Sequence, residues 1–372
     1  MKLFRVLLLL ATISTPLLAA PSRPSATSPA EPRNTISLGR LESRIDSLRK
    51  AAHIPGLAMA IVRDTTILSA RGFGMADLER GIPVTPDTPF NLASVTKPLS
   101  AVLALRLVEL GKLDLDRELM TYAGFAELCQ DARGAGGIFF QDFECDKYPM
   151  TLRRVLSMTV NGEPGTRFFY NPVIYSWASR PIMEVAGQPF SSLIEQHIFK
   201  PAGMTRSARM HRELPLREDL ARDLALSYHL DDSSRVIRSQ PLKPQGDGAA
   251  GGVISTAHDM ARFDIALTQG RLINAASRKA MWMAGQSPTG APLPYGLGWF
   301  VEPMDGEPVV WHTGLWEGSC SALYLRLPAR GYSLILLANS DALRWDNALD
   351  EAAIGQSSFA RTFIEEILSL EK

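Results

Sequence analysis

The sequence predicts a mixed α/β (α+β) protein in which both ends of the chain share one antiparallel sheet and a helical middle forms a second lobe. Three observations lead there. β-rich runs lie near the start, at 56–62 and 66–73, and they return throughout the last third. The stretch between them carries helical spacing of its apolar residues. The turns between neighbouring strands are short, as hairpins require.

Taken in order, the chain begins with an export signal over residues 1–20. Lys2 and Arg5 precede an apolar run from Val6 to Leu18, and Ala19-Ala20 offer small residues for cleavage. Thr12, Ser14, Thr15 and Pro16 interrupt that run, which is shorter than the roughly 20 apolar residues that span a bilayer. No stable membrane anchor is therefore expected after cleavage, and the protein is expected in the periplasm or outside the cell. Residues 21–35 are rich in Pro and Ser and read as a disordered linker.

One catalytic domain is expected over 36–372, with a sheet lobe at about 36–92 and 250–372 and a helical lobe at about 93–249. Ser37–Ala52 spaces Leu41, Ile45 and Leu48 as a helix, and the 56–62 and 66–73 runs flank Arg63-Asp64-Thr65 as a hairpin. Leu99–Leu110 is apolar nearly all round, as in a buried helix, and Gly111 stops it. A Gly-rich loop bearing two cysteines is expected over about 121–148. Further helices are expected at Met150–Met158, Tyr175–Val185 and Ser191–Phe199, while 212–248 is polar and weakly patterned. Ser255 or Thr256 caps a helix to about Gln269. Strands follow at Tyr295–Glu302, Pro308–Thr313, Ser319–Leu327 and Tyr332–Ala338, and an amphipathic helix at Ser358–Leu370 closes the chain.

Composition narrows the function. The 372 residues contain 39 Lys+Arg and 39 Asp+Glu, a zero net charge. No basic stripe offers a footprint for nucleic acid, so none is expected as a partner. The six histidines include no H-E-x-x-H and no close pair, so no metal site is predicted. No G-x-S-x-G elbow and no phosphate-binding G-x-x-x-x-G-K-[ST] loop occurs. Export permits disulfides. Cys129 and Cys145 flank a short segment they could close, while Cys320, in an alternating apolar stretch, reads as a buried free thiol.

The chemistry-bearing pattern is Ser94-Val95-Thr96-Lys97. Residues three apart on a helix share a face, so the Lys97 amine can reach the Ser94 hydroxyl. A serine hydroxyl needs a base to become a nucleophile, and a desolvated lysine with a lowered pKa can be that base. Ser47-Leu48-Arg49-Lys50 has the same spacing but lies on the polar face of the first helix, so it reads as solvated surface.

The stretch Phe90-Asn91-Leu92-Ala93-Ser94-Val95-Thr96-Lys97-Pro98 resembles the first active-site motif of class C β-lactamases and their relatives. That superfamily also holds penicillin-binding peptidases, esterases, and amidases and peptidases acting on D-amino acids. The likeness recurs, in the family's order, at Val108–Leu115, Pro164–Tyr170, Ala250–Thr256, Tyr295–Trp299 and His312-Thr313-Gly314. It implies the β-lactamase/transpeptidase-like fold. It also implies that Tyr170 is a general base working with Lys97, and that the backbone N–H groups of Ser94 and Leu315 form an oxyanion hole. His312, Thr313 and Gly314 correspond to the substrate-lining K-T-G strand, where His312 would hydrogen-bond the tyrosine or the substrate. No cofactor is implied.

Two departures bear on substrate. Asn171 falls one place early, leaving Pro172 where the family's amide-holding Asn belongs, and His312 stands where a Lys would pair with a β-lactam carboxylate. The expected function is a serine hydrolase acting through an acyl-enzyme on a small-molecule ester or peptide-like amide. Alternatives are a β-lactamase or D-amino-acid-specific peptidase, and a sensor that stays acylated.

Overall fold

Seven antiparallel strands order the computed structural model, which describes residues 38–344 and 351–369; the expected signal and linker lie outside them. In chain order the strands are β1 (Gly56–Arg63), β2 (Thr66–Asp77), β3 (Ile82–Pro83), β4 (Phe300–Met304), β5 (Glu307–Trp316), β6 (Cys320–Leu327) and β7 (Tyr332–Ala338). Across the sheet the order is β4-β5-β6-β7-β1-β2-β3, so the two ends of the chain meet where Leu57 pairs with Ala338. β6 and β7 are buried at every position and β1 at all but its last. A strand buried on both faces needs helices on both sides, which explains why these runs lack polar alternation.

Helices pack over the sheet. Leu38–Ala51 buries Leu41 and Ile45 and packs beside the closing helix Ser358–Leu368, to which Arg40 and Arg44 bind through Glu366 and Glu365. Ala257–Thr268 packs on β1 and β7. Its cap is Thr256, whose hydroxyl accepts from the Asp259 N–H, and Ser255 instead lies in a short strand. Asp264 fixes this helix to the sheet by accepting from the Tyr324 hydroxyl and pairing with buried Arg326.

Several expected boundaries move. The 121–148 loop contains a helix, Phe125–Gly134, whose amphipathic face buries Phe125, Cys129 and Ala132. The predicted Tyr175–Val185 helix is two helices, Pro172–Ser176 and Ser179–Ala186, because Asn171 caps an earlier start. The polar 212–248 stretch holds a helix at Glu218–Asp223 and a hairpin of Tyr228–Leu230 with Val236–Arg238. The strand expected from Tyr295 begins at Phe300, since Gly298 adopts φ +78° just before it. Among the described residues no helix is long and apolar enough to cross a membrane.

Cys129 and Cys145 form a disulfide, and both are buried. Closing a loop of this length removes about 3 kcal/mol of chain entropy from the unfolded state. Cys320 is a buried free thiol, and burial pushes its pKa up to about 12, so it is inert as a nucleophile.

Candidate active site

Ser94 sits in a single tight turn, Ala93–Val95, that runs straight into the helix Thr96–Glu109. The turn demands a left-handed residue, and Ala93 takes φ +45° although it is not glycine. Such a conformation costs on the order of 1 kcal/mol and persists only where the surroundings hold it. Here the Asn91 side chain accepts from the Ala93 N–H at 2.8 Å, and the Leu92 N–H donates to the Val253 carbonyl at 2.9 Å. The helix that follows is buried from Thr96 through Leu105, which leaves its first turn little freedom to move.

The Ala249–Val253 segment is stapled alongside. Ser100 donates to the Ala249 carbonyl at 2.7 Å, and the Val253 N–H donates to the Thr96 hydroxyl at 3.2 Å. This brings the Ala250 carbonyl to the Lys97 amine, which lies 3.0 Å from that oxygen and 2.7 Å from Ser94 Oγ. Lys97 is fully buried, and none of the ion pairs among the described residues includes it. Burial without a carboxylate lowers its pKa from 10.5 to about 7. Near neutral pH a large share of the amine is therefore uncharged and able to accept a proton. Ser47 and Lys50 share the spacing but not the setting: Ser47 is exposed and donates to Ser43, while Lys50 pairs with Asp46.

Aromatic rings enclose the lysine. Its Nζ lies 5.2 Å from the centre of the Tyr170 ring and 5.5 Å from that of Tyr175. Tyr175 is buried, donates to the Lys97 carbonyl at 3.1 Å, and stays a neutral phenol because burial raises its pKa well above 10. Gly298 admits this packing, since a Cβ there would stand 2.7 Å from Ala101 and 2.9 Å from the Tyr175 hydroxyl.

β5 supplies the opposite wall. β4 pairs with it only over Glu307–Trp311, so beyond Trp311 that edge of β5 lies against the Ala93–Val95 turn. Gly314 makes the approach possible, because a Cβ there would collide with the Leu92 carbonyl oxygen. Thr313 and Leu315, on the alternate face of the strand, line a cavity of about 720 Å³ together with Ser94, Lys97 and Tyr170.

His312 corrects an expectation. It is fully buried and does not line the cavity, and its ring lies against that of Tyr170 with centroids 6.2 Å apart. Its Nδ1 lies 2.6 Å from the Thr313 carbonyl, an acceptor only, so Nδ1 carries the proton. Nε2 then accepts from the Tyr295 hydroxyl at 2.7 Å. Burial and, next, the nearby Lys97 hold the imidazole well below its ordinary value, so it is neutral. It anchors the strand that carries Thr313 and Leu315.

Asn171 has also left the site. Its Oδ1 accepts from the Ile174 N–H as a helix cap, and its Nδ2 donates to the Phe139 carbonyl and to Asn161. Pro172 faces the cavity in its place. The sequence gives no warning of three further wall residues, Phe139, Gln245 and Arg344. The Ala250 carbonyl and Tyr295 were within reach, since both belong to motifs readable in the chain.

Comparison with known proteins decides the family. A model of the beta-lactamase family matches residues 41–358. The chain belongs to the beta-lactamase family. Its relatives include PbpX of Bacillus subtilis (strain 168), named as a penicillin-binding protein, which is 30% identical over 271 residues. That match covers 70% of this chain and 65% of PbpX, so the chain spans just under two thirds of this relative's length. The fold is that of the D-amino acid amidase from Ochrobactrum anthropi SV3, with a TM-score of 0.70, 21% identity, and coverage of 90% of this chain and 100% of the amidase. The class C beta lactamase from Rhodobacter sphaeroides aligns with a TM-score of 0.64 and 19% identity, over 88% of this chain and 98% of that enzyme. The β-lactamase/transpeptidase-like fold expected from the motifs is the observed one. The family is one of serine hydrolases.

Proposed function

We propose that this family member hydrolyses small-molecule esters, and more slowly peptide-like amides, through an acyl-enzyme on Ser94. The observation that carries the reading is a buried lysine with a pKa of about 7, held 2.7 Å from a serine hydroxyl at the wall of an open cavity. Neutral Lys97 takes the Ser94 proton, directly or through the Tyr170 hydroxyl, as Oγ bonds to the substrate's acyl carbon. The carbonyl oxygen becomes an oxyanion, held by the backbone N–H groups of Ser94 and Leu315. Collapse breaks the ester C–O bond, and the proton returns to the departing alkoxide. Water then gives a proton to the same pair as its oxygen bonds to the acyl carbon; the bond from that carbon to Ser94 Oγ breaks, Oγ takes the proton back, and the acid leaves.

Esters come first because the cavity presents Pro172 where an amide-holding side chain would stand. The Cys129–Cys145 bond supports an oxidising compartment, so the reading places the enzyme in the periplasm or outside the cell. A fluorophosphonate probe, which reacts with activated serines, tests it. The wild type is expected to be labelled, Ser94→Ala to lose labelling entirely, and Ser47→Ala to label like the wild type. Equal labelling of the first two would remove Ser94 from the mechanism.

A further inference from the structure

The segment between the two half-cystines reaches the cavity. The turn Ile138–Phe140 packs on the helix Pro172–Ser176, and Phe139 lines the cavity alongside Pro172 and Val173. These three side chains give the cavity an apolar stretch of lining, while Trp316 and Arg344 line the same space.

This wall is built, and it does not rest on the loop's own preferences. The Phe139 carbonyl accepts from Asn171 Nδ2 at 2.7 Å and from Asn161 Nδ2 at 3.2 Å. Asn161 also donates to the Gln141 carbonyl at 2.9 Å, and its own Oδ1 accepts from Asn171. Asn161 and Asn171 are both buried, so the network is rigid as well as fully used. Arg167 adds an ion pair to Asp142 at 3.0 Å, just beyond the turn. Behind it, Phe125 and Phe143 each set an edge against the Trp177 ring at 5.6 Å, and the disulfide closes the base. The asparagine displaced from the substrate's amide by one place in sequence is thus the residue that holds an aromatic ring at the cavity.

We propose that the disulfide-closed segment Cys129–Cys145 is the acyl-side specificity element of this site, with Phe139 contacting an apolar acyl chain of the substrate. The proposal rests on the Ser94 hydrolase reading and adds the substrate class: esters of unbranched, medium-length fatty acids. Each methylene brought against the wall is worth about fourfold in kcat/KM.

The test is a p-nitrophenyl ester series from acetate to octanoate, assayed with the wild type, Phe139→Ala and Phe139→Leu, alongside fluorophosphonate labelling of each. The wild type is expected to prefer hexanoate to acetate. Phe139→Ala is expected to lose about tenfold of that kcat/KM ratio, chiefly through KM, and Phe139→Leu to keep most of it. Labelling of all three proteins establishes that the variants are folded and carry a competent Ser94. A ratio that stays within about twofold of the wild type in Phe139→Ala, or rises, overturns this proposal alone. An unlabelled wild type overturns the hydrolase reading, and this proposal with it.

Discussion

Lys97→Met is expected to lower kcat/KM for an ester by about 10²–10⁴-fold while making the protein more stable below neutral pH. Both effects come from one buried amine. Holding Lys97 at about 7 instead of 10.5 costs on the order of 4–5 kcal/mol in the folded state when the group is charged, at about 1.36 kcal/mol per tenfold change in proton affinity. Methionine keeps the length of the side chain and removes the charge, but it leaves the Ala250 carbonyl without its donor, a loss of about 1–3 kcal/mol. The net gain at pH 6 is therefore about 1–4 kcal/mol.

The sign follows from proton binding. Below about pH 7 folded and unfolded chains both carry the Lys97 proton, and the folded state bears the whole penalty. Between about 7 and 10.5 only the unfolded chain keeps it, so wild-type stability rises with pH and the advantage of the variant shrinks. Urea melts at pH 6 and pH 9 measure this difference. The wild-type pH–rate profile carries the same signature, rising with pH on an acid limb near 7. A variant that is destabilised at pH 6, or a profile flat from pH 5 to 8, would show that Lys97 is not a buried base.

The second large effect concerns substrate choice. An ester such as p-nitrophenyl butyrate is expected to exceed nitrocefin in kcat/KM by on the order of a hundredfold. Two structural facts supply the factor. Asn171, turned away as a helix cap, cannot reach a substrate amide, and a missing hydrogen bond of this kind costs about 1–3 kcal/mol. His312 is buried, neutral and bound to Tyr295, so no permanent charge stands at that strand position for a carboxylate. Among the described residues, the other cation lining the cavity besides Lys97 is Arg344, and its guanidinium pairs with Glu317 at 3.2 Å. The two losses fall at different places and add approximately. A nitrocefin value above the ester value on one preparation would restore a β-lactamase reading.

Much of the fold could be read from the chain because strand and helix periods are local signals. β7 begins and ends where its apolar run does, and the Thr96–Glu109 helix follows from a run apolar on every side. The pairing of Ser94 with Lys97 was legible for the same reason, being a three-residue spacing, although Ser94 lies in the tight turn that leads into the helix bearing Lys97. What escaped depended on distant partners. Nothing near His312 in sequence announces that its Nε2 will accept from Tyr295. The helix Phe125–Gly134 was masked by the glycines after it, although its apolar residues fall on one face. Phe139 had no local signal at all. Its position is set by Asn161 and Asn171, 22 and 32 residues away.

The central claim is that the substrate's acyl group passes through a bond to Ser94. The direct measurement is acid quenching of the p-nitrophenyl butyrate reaction within its first turnovers, followed by proteolysis and mass spectrometry. The account predicts a butyryl group on the peptide containing Ser94, formed before steady state, and absent in Ser94→Ala. A butyryl group on any other residue, or ester turnover at full rate in Ser94→Ala, would contradict it.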